Sequence, residues 1–144
     1  VTARTGKSIA DLNVEDEVHI LFDLNNGVTG SLQTSWTEVA AGPTVEIYGD
    51  RGTIIATGTD IASDRSMTQG TPPLRVFHSD SGKWSTPNVE LPLSRATLPP
   101  NAFIDCLIHN YPSPAPAEMA ATAVMVAQAA YSSARTGKTI PLQP

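Results

Sequence analysis

Residues 17–36 read EVHILFDLNNGVTGSLQTSW, and the fold is decided in this stretch. From Glu17 to Leu24 the side chains alternate, with Val18, Ile20, Phe22 and Leu24 on one side and His19, Leu21 and Asp23 on the other, the two-residue period of a half-buried strand. Asn25-Asn26-Gly27 tolerates the positive φ values of a tight turn, so the chain doubles back there. Val28 to Thr37 is the return strand. It places Val28, Gly30, Leu32, Thr34 and Trp36 on one face and Thr29, Ser31, Gln33, Ser35 and Thr37 on the other. The two strands form an antiparallel pair.

Working outward, the same logic gives two more hairpins. Gly42-Pro43 interrupts the chain, Thr44 to Tyr48 is a short strand, and Gly49-Asp50-Arg51-Gly52 turns into the β-branched run Thr53 to Ile55. Residues 58–73 lack periodicity and read as the longest loop. Leu74 to His78 and Trp84 to Leu91 flank Asp80-Ser81-Gly82 as a third hairpin, with Pro87 suited to an edge strand or a bulge. Pattern then gives way to helical spacing. After Pro99-Pro100, Ala102 to Asn110 is a short helix with Asn110 as its left-handed cap. Ala117 to Thr136 is an alanine-rich helix without Gly or Pro that ends at Gly137. Its charges, Glu118 near the start and Arg135 near the end, both suit the helix dipole. Ala123, Val126, Ala127, Ala130 and Ala134 make a small-residue stripe that lets the helix lie close on a sheet. Lys138 to Leu142 can add a final strand. Strands followed by helices predict an α+β fold: a largely antiparallel, open-faced sheet with two C-terminal helices packed on one face.

Composition limits the function. A chain of 144 residues, 40% hydrophobic and 16% charged, is expected to be one domain spanning residues 1–144. No apolar run is long enough to span a bilayer, so no membrane partner is expected. A net charge of −5 with nine scattered Lys and Arg gives none of the clustered positive potential that nucleic acid requires. The single cysteine, Cys106, cannot form an internal disulfide, which fits a cytoplasmic location. No signal peptide opens the chain, and a start at Val1 rather than Met leads us to expect that the native N-terminus lies upstream.

Few residues suggest chemistry. A dinucleotide fold needs a Gly-rich turn between strand and helix, yet no two of the ten glycines stand at G-x-G spacing. Gly49 to Gly52 lies between two strands with no helix behind it and reads as a plain turn. His19 and Asp23 share a strand face, but four residues of strand span ~13 Å, too far for one metal ion. His78 has no supporting carboxylate or cysteine in its strand. Asp105 and His109 are four apart on a helix with Cys106 between them, the spacing of a carboxylate that orients a histidine. A core cysteine and a dipole-favoured histidine explain the same residues without catalysis. No residue is therefore assigned a catalytic, cofactor-binding or metal-binding role.

The order of these motifs resembles the C-terminal domain of the glucose-fructose oxidoreductase and inositol dehydrogenase (Gfo/Idh/MocA) family. The resemblance runs from Glu15-Asp16-Glu17 through Asn26-Gly27-Val28-Thr29-Gly30 to Ser35-Trp36. It continues through Val45-Glu46-Ile47-Tyr48-Gly49-Asp50-Arg51-Gly52-Thr53-Ile54, then Phe103 to Ile108, Ala127 to Ser133, Gly137-Lys138 and Leu142. It implies a parent that transfers hydride between NAD or NADP and a sugar-like or polyol substrate. Cofactor and catalytic lysine would then lie in a preceding Rossmann domain. None of the three lysines here precedes a proline, as the family's Glu-Lys-Pro motif requires. The family's Asp-x-x-x-His motif lies ahead of the sheet, whereas Asp105 and His109 follow the strands, so that role is not transferred. The chain is expected to begin at the first sheet strand, near Val1 to Thr5.

The resemblance thus implies a truncated oxidoreductase whose fragment supports the substrate pocket, pairs subunits into a homodimer through its open sheet face, including Leu21, and is inactive alone. Trp36, at a strand end beside Thr37 and Glu38, is the candidate for a position near the substrate, with interface or core packing as the alternative. The rival reading is a stand-alone module that binds protein or carbohydrate on its sheet.

Overall fold

In a computed structural model, which describes residues 1–9, 11–37, 43–57, 72–88 and 98–142, the Asn-Gly turn forms as expected. Gly27 has φ 85°, and Gly27 N–H donates to Leu24 O at 3.0 Å while Leu24 N–H donates to Val28 O at 2.7 Å. The flanking strands are β2 (Glu17–Asp23) and β3 (Thr29–Ser35), paired antiparallel with Ile20 opposite Leu32 and Phe22 opposite Gly30. That register explains Gly30: a Cβ there would stand 2.3 Å from the Phe22 ring, so the ring lies over bare backbone. The strand expected at Val1 to Thr5 is β1 (Thr2–Gly6), antiparallel to β2.

The chain divides into two compact units, residues 1–38 with 112–144, and residues 39–111. In the first, the sheet order is β1-β2-β3, and the long helix α2 (Ala117–Thr136) packs on β1. Ala3, Ile20 and Ala130 form its core, with Val1, Val18 and Phe22 against them. Burying Ile20 contributes roughly 1.5–3 kcal/mol. The outer edge of β1 is covered as well. Ala3 N–H donates to Ser133 Oγ at 2.9 Å, and Val1 and Ile140 exchange two main-chain hydrogen bonds, which blunts an edge that would otherwise invite pairing. Gly137, with φ 68°, ends α2 as expected, its N–H donating to Ser133 O at 2.8 Å.

The second unit holds β4 (Pro43–Gly49), β5 (Gly52–Thr57), β6 (Leu74–His78) and β7 (Lys83–Ser85) in that order, all antiparallel. Gly52 has φ 154°, and a Cβ there would meet Phe77 O at 2.0 Å, so the β5–β6 approach requires glycine. Tyr48, Thr53, Phe77 and Trp84 stand in one cross-strand row, and the Phe77 and Trp84 rings meet at 5.4 Å. Helix α1 (Leu98–His109) belongs to this unit and leaves Phe103, Ile104, Leu107 and Ile108 exposed.

The α+β class and antiparallel pairing stand, with the described strands arranged as a three-stranded and a four-stranded sheet. Several boundaries move. The last hairpin strand, expected over Trp84 to Leu91, is Lys83–Ser85; residues 86–88 carry no strand and 89–91 lie outside the described residues. Pro87 has no N–H to give the ladder. The expected strand from Lys138 to Leu142 does not form: Ile140 alone bonds to Val1, and Pro141 cannot extend the pairing. Helix α1 starts at Leu98 instead of Ala102, because Pro99 and Pro100 fit a first turn whose N–H groups have no helical partner. Its cap at Asn110, φ 52°, is as expected. The packing stripe of α2 also shifts. Ala129, Ala130 and Ser133 are buried, while Ala123 and Ala127 are exposed, since contact with β1 falls on the C-terminal half of the helix. Most of the long loop, residues 58–71, lies outside the described residues.

Candidate functional site

The most organised polar site lies where β1 ends and β2 begins. Asp16, only 3% exposed, accepts Ser8 N–H on Oδ1 at 2.7 Å and Ile9 N–H on Oδ2 at 2.6 Å. Its own N–H donates to Gly6 O at 3.2 Å, and its carbonyl accepts Trp36 N–H at 2.9 Å. The Ser8 amide, foremost, and the Ile9 amide hold the carboxyl below its ordinary pKa, against the opposing effect of burial. A carboxylate committed in this way on both oxygens is a clamp and not a free acid or base.

Next to it, Glu17 Oε1 lies 2.6 Å from His19 Nε2, and its Oε2 accepts Ser8 Oγ–H at 3.1 Å. The His19 hydrogen bond, then that of Ser8, lowers the Glu17 pKa. His19 therefore pairs with the residue two positions before it on its strand face, and not with Asp23.

A groove of about 250 Å³ runs beside this clamp, lined by Val18, Ile20, Trp36, Ala127, Ala130 and Tyr131, with Glu15, Asp16 and Glu17 among its polar lining. Trp36 is 71% exposed. It continues the face of β3 that carries Thr34, the face turned to α2. Around it, Ser35 Oγ accepts Thr37 N–H at 3.1 Å and bonds Thr37 Oγ1 at 2.8 Å, forming a local turn at the end of β3. The groove presents an aromatic and apolar surface beside carboxylates, a combination suited to a small polar ring whose C–H face stacks on an aromatic.

Of the other sequence candidates, His78 Nε2 lies 2.9 Å from Ser85 Oγ on the neighbouring strand. His109 stacks on Tyr111 with ring centroids 5.5 Å apart, and no hydrogen bond or ion pair joins it to Asp105 among the described residues. Gly49 to Gly52 is a hairpin turn. Sequence reading missed Asp16 as a buried group and Tyr131 as a groove residue. The triplet Glu15-Asp16-Glu17 was visible, but nothing local marks its middle member as the buried one.

A dinucleotide phosphate would need free N–H groups and no negative charge at a helix start. Helix α1 opens with Pro99 and Pro100, which lack the N–H donors such a group requires, and α2 carries Glu118 in its first turn, which repels it. Neither fits. Among the described residues, no group of three His, Cys, Asp or Glu could hold a metal, and no helix is long and apolar enough to cross a membrane.

Comparison with known proteins bears on the family and the fold. The family model GFO_IDH_MocA_C, the C-terminal alpha/beta domain of an oxidoreductase family, matches residues 1–142. No curated protein matches the sequence. Among solved structures, a Yersinia pestis protein assigned as an oxidoreductase superposes with a TM-score of 0.72 at 18% identity, over 99% of this chain and 44% of its own. A Klebsiella pneumoniae protein assigned likewise gives 0.69 at 17% identity, over 99% and 44%. An oxidoreductase from Agrobacterium radiobacter, solved in complex with NAD+, L-tartaric acid and magnesium, gives 0.69 at 22% identity, over 96% and 42%. At these identities the likeness establishes the fold, and the chain spans less than half the length of the proteins it resembles.

Proposed function

This chain belongs to the Gfo/Idh/MocA oxidoreductase family through its C-terminal alpha/beta domain, and on that premise we propose that it is the sheet-bearing domain of an NAD- or NADP-dependent oxidoreductase acting on a sugar-like or polyol substrate. The observation that carries this reading is the family match over residues 1–142. NAD+ in the Agrobacterium radiobacter structure supports a dinucleotide cofactor for the parent protein. The poor fit of both helix starts to a phosphate supports a cofactor site in another part of that parent. The chain alone is inactive and acts in the cytoplasm as part of the larger enzyme.

Two roles fall to this domain. Trp36 stands near the substrate, where its exposed indole offers a stacking surface beside Glu15 and Glu17. The face of the three-stranded sheet turned away from α2 pairs subunits. There Leu21, 62% exposed, sits opposite Ser31 and between His19 and Asp23, an apolar anchor in a polar frame.

Sedimentation velocity over a concentration series tests the pairing: the chain forms a homodimer, and Leu21→Arg is monomeric with unchanged circular dichroism. A strict monomer at the highest soluble concentration removes the interface. In the parent enzyme, Trp36→Ala raises KM for the sugar-like substrate about tenfold or more, the loss of one aromatic stacking contact; an unchanged KM removes Trp36 from the site.

A further inference from the structure

We propose that Asp16 is a positioning residue for Trp36: by clamping the loop that follows β1, its buried carboxylate fixes the end of β3 and so sets where the indole stands in the groove. This rests on the reading of Trp36 as substrate-proximal, although the coupling between the two residues is a separate, measurable property of the chain.

The case begins with the charge. A carboxylate 3% exposed is costly to bury without compensation, and among the described residues it is compensated chiefly by main-chain amides, with a smaller contribution from the Ser8 hydroxyl and no cation paired to it. Each oxygen accepts one amide, Ser8 N–H and Ile9 N–H. That chemistry selects Asp over Asn. The carboxamide of Asn has one acceptor and one donor end, so one of the two loop amides would face an N–H instead of an oxygen.

The main chain of Asp16 then links three segments. Its N–H holds Gly6 at the end of β1, its side chain holds residues 8 and 9, and its carbonyl holds Trp36 N–H at 2.9 Å. The bond to Trp36 matters because Glu17 and Ser35 are the last paired residues of the β2–β3 ladder. Beyond them the Asp16 carbonyl is the next tie. At 71% exposure, Trp36 has little side-chain packing to hold it, so the main-chain bond to Asp16 is what fixes the direction in which its Cα–Cβ bond leaves the sheet. Glu17 fastens the same loop a second time through Ser8 Oγ. Both Asp16 oxygens are occupied by amides, so the residue positions and does not react.

The experiment uses uniformly labelled chain and nuclear magnetic resonance, without substrate. In Asp16→Asn, hydrogen exchange at the Trp36 amide accelerates about tenfold or more and the Trp36 indole N–H resonance moves, while the amides of Ile20 and Ala130 in the core keep their rates. Two results overturn the proposal: Trp36 as protected as in the unaltered chain, or Trp36, Ile20 and Ala130 accelerating together, which makes Asp16 a general stabiliser. Should Asp16→Asn fail to fold, the unaltered chain supplies the answer by acid titration. The Trp36 indole resonance follows the Asp16 carboxyl carbon with the same midpoint, and the carboxyl carbons of Glu15 and Glu17, which also line the groove, are followed in the same spectra. A Trp36 midpoint that matches Glu15 or Glu17 and not Asp16 overturns the coupling. Failure of the reading of Trp36 itself is seen elsewhere, in the substrate KM of the parent enzyme carrying Trp36→Ala.

Discussion

Replacing Ser133 by Ala removes one hydroxyl from a position that is 1% exposed and leaves the Ala3 amide, its donor at 2.9 Å, without a partner on a strand edge that α2 covers. An unsatisfied buried N–H costs about 1–3 kcal/mol. Alanine returns roughly 0.5 kcal/mol through its better helix propensity. The net loss is therefore about 0.5–2.5 kcal/mol, enough to lower Tm by roughly 2–8 °C for a chain of this length. Urea denaturation followed by circular dichroism reads this as a lower midpoint with an unchanged slope, and hydrogen exchange at the Ala3 amide locates it. Ser133→Thr keeps the hydroxyl but adds a methyl where α2 meets β1, so it is also destabilising, by overpacking, while the Ala3 amide stays protected relative to its neighbours. A change below about 0.3 kcal/mol in Ser133→Ala, within the scatter of neutral substitutions, with Ala3 exchange unaltered, would refute the claim that this bond seats the helix.

Other outcomes follow from the same geometry. Gly30→Ala forces the Phe22 ring off β3, because the new Cβ would lie 2.3 Å from it, and costs about 1–3 kcal/mol in thermal denaturation; Gly27→Ala, strained only by its φ of 85°, costs about 1 kcal/mol. Gly52→Ala is the most damaging glycine change, since its Cβ would stand 2.0 Å from the Phe77 carbonyl; a loss on the order of 3 kcal/mol or more appears as early, non-cooperative melting of the second unit. The pH dependence has a definite sign. Asp16 and Glu17 both have folded-state pKa values below their ordinary ones, so their stabilisation is complete above about pH 4–5 and is lost as pH falls through the lowered values. Urea midpoints measured from neutral to acid pH therefore decline below that range, and Asp16→Asn flattens the decline.

The strands were legible because their information is local. Alternation from Glu17 to Leu24 and the Asn-Gly turn set the first hairpin, and Gly49 to Gly52 set the second. Helix α2 was legible from Ala117 to Thr136 for a similar reason: no interrupting residue, then Gly137 in the left-handed conformation. What escaped depends on partners distant in sequence. Ser133 in the last turn of α2 reads as a surface polar residue until Ala3, 130 positions earlier, supplies the amide that it accepts. Asp16 sits in a run of three acids that reads as solvated, and only the return of residues 8 and 9 buries its middle member. Trp36 could be placed at a strand end from the sequence, but Tyr131, which shares its groove, arrives from a helix that no local pattern connects to it.

The central claim is that this domain supplies sheet and substrate wall while the dinucleotide is held by another part of the parent enzyme. Calorimetric titration of the purified chain with NADH and with NADPH tests it most directly. The account predicts no saturable binding in the micromolar range for either nucleotide; saturable micromolar binding of either one would contradict it.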